Sequence, residues 1–143
     1  MNASPKSHTA DPCRILIVDD FEPFRSALRQ FLDSFVGLRV VGEAGDGNSA
    51  IEIASDLAPQ VIIMDVKMPR MGGVEATRCI KKVLPGTHVI GVSSQDDTMT
   101  QEAMKAAGSS AFTIKDFANT LPLVIAEITG TQIAHDAFPE GSL

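Results

Sequence analysis

The chain is poor in cysteine, in basic side chains and in long apolar stretches, and each shortage removes a class of protein. Cys13 and Cys79 are its only cysteines. Two thiols cannot build a disulfide framework, and their spacing matches no zinc site. Both are expected to be reduced, buried thiols. Lys and Arg number 12 against 18 Asp and Glu, leaving a net charge of −6. No basic face is available to neutralise a phosphate backbone, so direct nucleic-acid binding is not expected. No apolar run approaches the roughly 20 residues of a membrane-spanning helix. Residues 1–12 are polar, and the apolar stretch after them stops at two aspartates, so no secretory leader is expected and a cytoplasmic location is. There is no internal repeat or low-complexity tract. At 44% hydrophobic and 21% charged residues, the remaining material suits one folded domain.

Short apolar runs recur along that domain: Ile15-Leu16-Ile17-Val18, Val40-Val41, Val61-Ile62-Ile63-Met64, Val89-Ile90-Gly91-Val92 and Ala111-Phe112-Thr113-Ile114. The first, third and fourth lack polar alternation, as strands buried on both faces do. Helical stripes lie between and after them. Phe24, Ala27, Leu28, Phe31, Leu32 and Phe35 form the first, with Arg25 and Arg29 on the opposite face. Ala50, Ile51, Ala54, Leu57 and Ala58 form the second, which Pro59 stops. Val74, Thr77, Ile80, Val83 and Leu84 form the third, and Met99, Ala103, Ala106 and Ala107 a weaker fourth closed by Gly108. Leu121, Val124, Ile125 and Ile128 form the fifth, closed by Gly130. Five strand–helix alternations predict right-handed crossovers and an open α/β fold, a doubly wound parallel sheet with helices on both faces. Residues 1–12 and 131–143 read as tails flanking a domain at 13–130.

Ligands of such sheets bind beyond the carboxyl ends of the strands. The first run ends in Asp19 and Asp20, the third in Asp65, the fourth in Ser93 and Ser94, and the fifth in Lys115. Singly, each has an ordinary explanation: an Asp or Ser caps a helix, and a Lys sits solvated in a loop. Together, three carboxylates repel one another and call for a cation. All-oxygen ligands suit Mg²⁺. A lysine on the same rim points to an anion held there as well, with phosphate the obvious choice.

Val18-Asp19-Asp20, the stretch from Met64-Asp65 through Lys67-Met68-Pro69 to Gly72-Gly73, Val92-Ser93-Ser94 and Phe112-Thr113-Ile114-Lys115 together resemble the receiver domain of two-component response regulators. The resemblance covers about residues 14–130. Val40-Val41-Gly42-Glu43-Ala44 and Lys115-Asp116 look most like the NarL/FixJ class. The resemblance implies a flavodoxin-like strand order 2-1-3-4-5 and phosphorylation of Asp65 by a sensor histidine kinase. It implies Mg²⁺ held by Asp20, Asp65 and the backbone carbonyl of Lys67, with Asp19 reaching it through water. It makes Ser93 the hydroxyl that reports phosphorylation, Phe112 its aromatic switch partner and Lys115 the phosphate-binding lysine. Such a chain is not an enzyme in the ordinary sense, catalysing only transfer to and slow loss from its own aspartate. Ser94 stands where a small apolar residue is more usual. With Lys67 and Gln95 it flanks the site and is expected to tune the lifetime of the phosphorylated state. Asp116 replaces the proline that often follows the lysine, so no cis peptide is expected there. The output face implied lies around Met99, Met104, Phe112 and Leu121, available to a partner or to a phosphorylation-dependent homodimer. The chain reads either as a stand-alone receiver acting on a downstream protein or as the input part of a longer DNA-binding regulator.

Two other readings compete. Gly45-Asp46-Gly47-Asn48-Ser49-Ala50 matches the dinucleotide-binding G-x-G-x-x-[GA], and Asp65 stands twenty residues after Gly45, where a ribose-binding acid belongs. That reading leaves Asp19, Asp20, Ser93 and Lys115 without a role, and Arg39 and Glu43 make the preceding strand half polar. Gly45 and Gly47 are therefore expected to supply a turn and a helix start. A pseudo-receiver that docks partners without phosphate would keep the fold and leave the five rim residues idle.

Overall fold

Ile15, Leu16, Ile17 and Val18 are each at most 1% exposed, as an apolar run covered from both sides must be, and they form the body of strand β1 (Cys13–Val18). The computed structural model describes residues 11–135. After β1 come α1 (Glu22–Asp33), a two-residue strand β2 (Phe35–Val36), β3 (Leu38–Ala44), α2 (Gly47–Leu57) and β4 (Val61–Asp65). Then follow α3 (Gly73–Val83), β5 (His88–Ser93), α4 (Thr98–Ala107), β6 (Ala111–Ile114), a 3₁₀ turn (Lys115–Thr120), α5 (Leu121–Thr129) and a second short strand, β7 (Ala134–His135).

The main sheet runs β3-β1-β4-β5-β6, with every pairing parallel. Counted over its five strands this is the order 2-1-3-4-5. Alternate residues of β1 face opposite layers. Ile15 and Ile17 pack with Leu28 and Leu32 of α1 and Leu121 and Ile125 of α5. Leu16 and Val18 pack with Ala50 and Ala54 of α2, Ala76 and Ile80 of α3 and Met104 of α4. The chain leaves β1 toward β3 on one side and returns to β4 on the other. The crevice beyond the carboxyl ends of β1 and β4 is therefore the switch point of the sheet, where such folds bind ligands.

Local chemistry explains several helix ends. The Asp46 side chain accepts the amide of Ser49 at 2.8 Å and starts α2, while Asp97 accepts the amide of Met99 and starts α4. Gly108 and Gly130 close α4 and α5 with φ of 113° and 75°.

Four expectations need correction here. The first stripe does not carry Phe35 in a helix: the Ser34 hydroxyl and amide both return to the Phe31 carbonyl, ending α1, and Phe35 enters β2. The segment expected as a plain C-terminal tail contains β7, which pairs antiparallel with β2 through Phe35–His135 and Val36–Ala134. Residues 1–10 and 136–143 lie outside the described residues. In α4 the buried positions are Met104 and Ala107, whereas Met99 is 80% exposed, because the helix packs on the sheet through the face that carries Met104. Of the thiols, Cys13 is buried as expected but Cys79 is only half-buried. No peptide bond is cis among the described residues.

Candidate functional site

Asp19 and Asp65 stand where β1 and β4 leave the sheet, and both are buried, at 2% and 4% exposure. Asp20, next in the chain, is exposed. The three offer carboxylate oxygens that all lie within 4.8 Å of one another. Lys115, the first residue after β6, brings its Nζ to 2.7 Å from Asp19 Oδ2 and 3.9 Å from Asp65 Oδ2. Its ammonium also lies 4.5 Å from the centre of the Phe24 ring, a contact that steadies a cation between α1 and the rim. Ser93 ends β5, fully buried, and its Oγ accepts the Gln95 amide at 3.3 Å.

The charge balance is uneven. Burial pushes the Asp65 carboxyl up to about 7, the neighbouring Asp19 charge adds to that, and Lys115 only partly opposes it. Two buried carboxylates and one exposed one face a single ammonium that sits on Asp19. The donor set is all oxygen and carries excess negative charge, which fits a hard divalent cation. The cluster and the lysine are thus brought together as the strand-end reading expects.

The flanking residues are placed less uniformly. Lys67, Ser94 and Gln95 are all exposed on the rim. The Lys67 amide points to Asp65 Oδ1 at 3.4 Å. The Thr100 hydroxyl chiefly holds the Asp97 carboxyl below the usual range, and the Lys67 charge adds a little to that. Phe112 is half-buried and packs with Met104 against Gly91, where a Cβ would meet either side chain at 3.0 Å. Met104 and Leu121 are 0% exposed. They belong to the core and not to an output face, since both side chains fill the layers between helices and sheet. Gly45 lies in the turn before α2 and Gly47 is the first residue of that helix, where a Cβ would strike the carbonyl of Met71 at 2.7 Å.

Sequence reading missed Arg25 and Glu43, assigning the first to a solvated face and the second to a weak strand. Arg25 Nη1 donates to the carbonyl of Asp19 at 2.6 Å and its Nε to Glu43 Oε1 at 2.8 Å. Arg29 takes the other Glu43 oxygen at 2.7 Å. The available signal was two arginines one helical turn apart and a lone acid in the adjoining strand. Gly73 was also missed as a spacing device: a Cβ there would lie 2.3 Å from the Asp65 carbonyl.

Comparison with known proteins bears on this geometry. The family profile described as response regulator receiver domain matches residues 15–125. The response regulator GacA of Pseudomonas viridiflava is 35% identical over 102 residues, covering 71% of this chain and 48% of that protein. A protein-glutamate methylesterase/protein-glutamine glutaminase of Alkalilimnicola ehrlichii is 42% identical over 108 residues, covering 74% of this chain and 27% of that one. The chain therefore spans about half the length of the first relative and about a quarter of the second. Among solved structures, a LuxR-family two-component response regulator from Aurantimonas sp. SI85-9A1 superposes with a TM-score of 0.78 at 27% identity, covering 82% of this chain and 85% of that one.

Proposed function

The chain belongs to the response regulator receiver family, and from that premise we propose that it accepts a phosphoryl group on Asp65 from a histidine kinase and answers by altering a protein-interaction face. The observation that carries the proposal is the position of Asp65: buried at the switch point, with Lys115 Nζ 3.9 Å from its Oδ2 and Asp19 and Asp20 beside it. The domain concerned runs over about residues 13–130.

Mg²⁺ would be held by Asp20, Asp65 and the Lys67 carbonyl, with Asp19 behind a water. When bound it would supply the charge neutralisation that lets one anion approach another. The remaining work falls to the chain's own groups. A carboxylate oxygen of Asp65 attacks phosphorus, the bond from phosphorus to the donor's leaving atom breaks, and the product is a mixed anhydride. No general base is required once Asp65 is ionised, the form that a bound divalent cation would favour against burial and the Asp19 charge. Lys115 moves from Asp19 toward the incoming phosphoryl oxygens, and the Ser93 hydroxyl donates to one of them. Lys67, Ser94 and Gln95 line the entrance and set how readily water reaches the anhydride. A kinase supplies the group, and either a separate protein or an output domain of the same polypeptide receives the signal. The face built by α4, β6 and α5 is the surface for that contact or for a phosphorylated homodimer.

Intact mass after incubation with acetyl phosphate and Mg²⁺ tests the proposal. Wild type should gain one phosphoryl group that is lost on standing, and Asp65→Asn, nearly isosteric, should gain none. Labelling of Asp65→Asn at the wild-type rate sinks the assignment, and no labelling of wild type favours a docking module that does not use phosphate.

A further inference from the structure

Asp20 is the one member of the acidic triad that solvent reaches freely, so its place depends on how the backbone leaves β1. The group that decides this is the peptide joining Asp19 to Asp20. Its carbonyl, that of Asp19, accepts Arg25 Nη1 at 2.6 Å. Fixing that oxygen fixes the peptide plane and with it the direction of the Asp20 Cα. The residue before is already tied down, since the Asp19 amide donates to the Ala44 carbonyl at 3.0 Å and its Oδ1 accepts the Phe21 amide at 2.8 Å.

Arg25 is itself aimed. Its Nε meets Glu43 Oε1 at 2.8 Å, and only 18% of its side chain is exposed. Glu43 is held from its other oxygen by Arg29. The guanidinium fork thus spans two acceptors, one just past the end of β1 and one on β3, which a flexible ammonium cannot reproduce. Its charge alone would act the opposite way: a fixed positive group beside three carboxylates weakens attraction for a cation.

We propose that Arg25 is a positioning residue for the acidic site, holding the Asp19–Asp20 peptide so that Asp20 is presented beside Asp65, with Glu43 aiming the guanidinium. The proposal rests on reading the triad as the Mg²⁺ site. Removing a group that orients metal ligands typically weakens metal binding by about 10–100-fold. A pure charge effect would strengthen it instead, so the direction of the change is decisive.

The experiment compares the full chain with Arg25→Ala and Arg25→Lys. Mg²⁺ affinity is read by calorimetry, because the chain has neither Trp nor Tyr to report binding by fluorescence. Amide NMR in the metal-free state reads the Asp20 backbone directly. Both variants should bind Mg²⁺ about tenfold more weakly, with amide shifts concentrated at residues 19–21 and little change in β4. Labelling by acetyl phosphate should return close to the wild-type rate at saturating Mg²⁺, a recovery that general destabilisation would not show. Arg25→Lys decides the matter if Arg25→Ala fails to fold. Binding as tight as wild type in either folded variant, or tighter, overturns the proposal. Wild-type protein that binds no Mg²⁺ overturns the reading of the site and this inference with it, whereas normal wild-type binding beside unaffected variants overturns the inference alone.

Discussion

Asp65 is a carboxylate kept where charge is costly, and that cost makes the metal-free protein sensitive to pH. Burial and the Asp19 charge raise its carboxyl to about 7 in the folded chain, well above the ordinary carboxylate value of about 4. Between those values the folded state binds a proton that the unfolded state has released, so this group's contribution to stability falls as pH rises from about 4 through about 7. Glu43 acts oppositely. The Arg29 hydrogen bond chiefly holds its carboxyl low, so its contribution is present above its unfolded value and is lost in acid. Asp65→Asn removes the first dependence and leaves the second. In chelator, denaturant unfolding should show Asp65→Asn more stable than wild type at pH 8 and no more stable at pH 4. An equal difference at both pH values would mean that Asp65 carries no excess charge cost.

Helices and strands are held to the site by close backbone approaches as much as by apolar packing. The start of α3 is pressed onto the end of β4: the Gly73 amide donates to the Val66 carbonyl at 2.8 Å, and a Cβ on Gly73 would fall 2.3 Å from the Asp65 carbonyl. Backbone cannot yield as a side-chain tip can. Gly73→Ala should therefore cost about 1–3 kcal/mol, the usual range for overpacking, and slow labelling of Asp65 by displacing the strand end. Gly86, with nothing within 4 Å of a Cβ, is the control, and Gly86→Ala should stay within about 0.5 kcal/mol. Urea unfolding of both variants measures the contrast. Equal stabilities would show that the α3–β4 contact relaxes freely.

Across the whole molecule, the question is how an event at Asp65 reaches a distant face. Ser93 sits on β5 beside β4, and Phe112 sits on β6 beside β5, so the sheet supplies a short path. Phe112 is half-buried against Met104 and Gly91, and the large apolar side chains exposed on α4 and α5 are Met99 and Leu123, at 80% and 70%. On the phosphorylation proposed above, a phosphoryl group drawing the Ser93 hydroxyl inward would leave room for Phe112 to rotate and would shift a pre-existing equilibrium. A beryllofluoride mimic should therefore change amide shifts across residues 93–125 in wild type. Ser93→Ala should still be phosphorylated on Asp65 but lose most of that response. A full response in Ser93→Ala would mean that output leaves by another route.

The α/β order, the buried strands and the rim of Asp19, Asp20, Asp65, Ser93 and Lys115 are all legible in the linear chain. They follow from local rules: continuous apolar runs, helical periodicity, and polar residues where a run stops. The family resemblance rests on those same residues. Other features exist only once distant segments meet. Phe35 fits a helical stripe, yet Ser34 ends α1 and the partner strand at Ala134–His135 draws Phe35 into β2, a pairing across a hundred residues that no local period encodes. The apolar stripe of the fourth helix carries Met99 and leaves out Met104, yet the packing of α4 on the sheet buries Met104 and exposes Met99. Arg25 reads as a solvated helix residue because its acceptors, the Asp19 carbonyl and Glu43, lie on two other elements. A hydrogen bond to a backbone carbonyl leaves no mark in composition or spacing, so the tertiary structure alone reveals what holds the acidic pair in place.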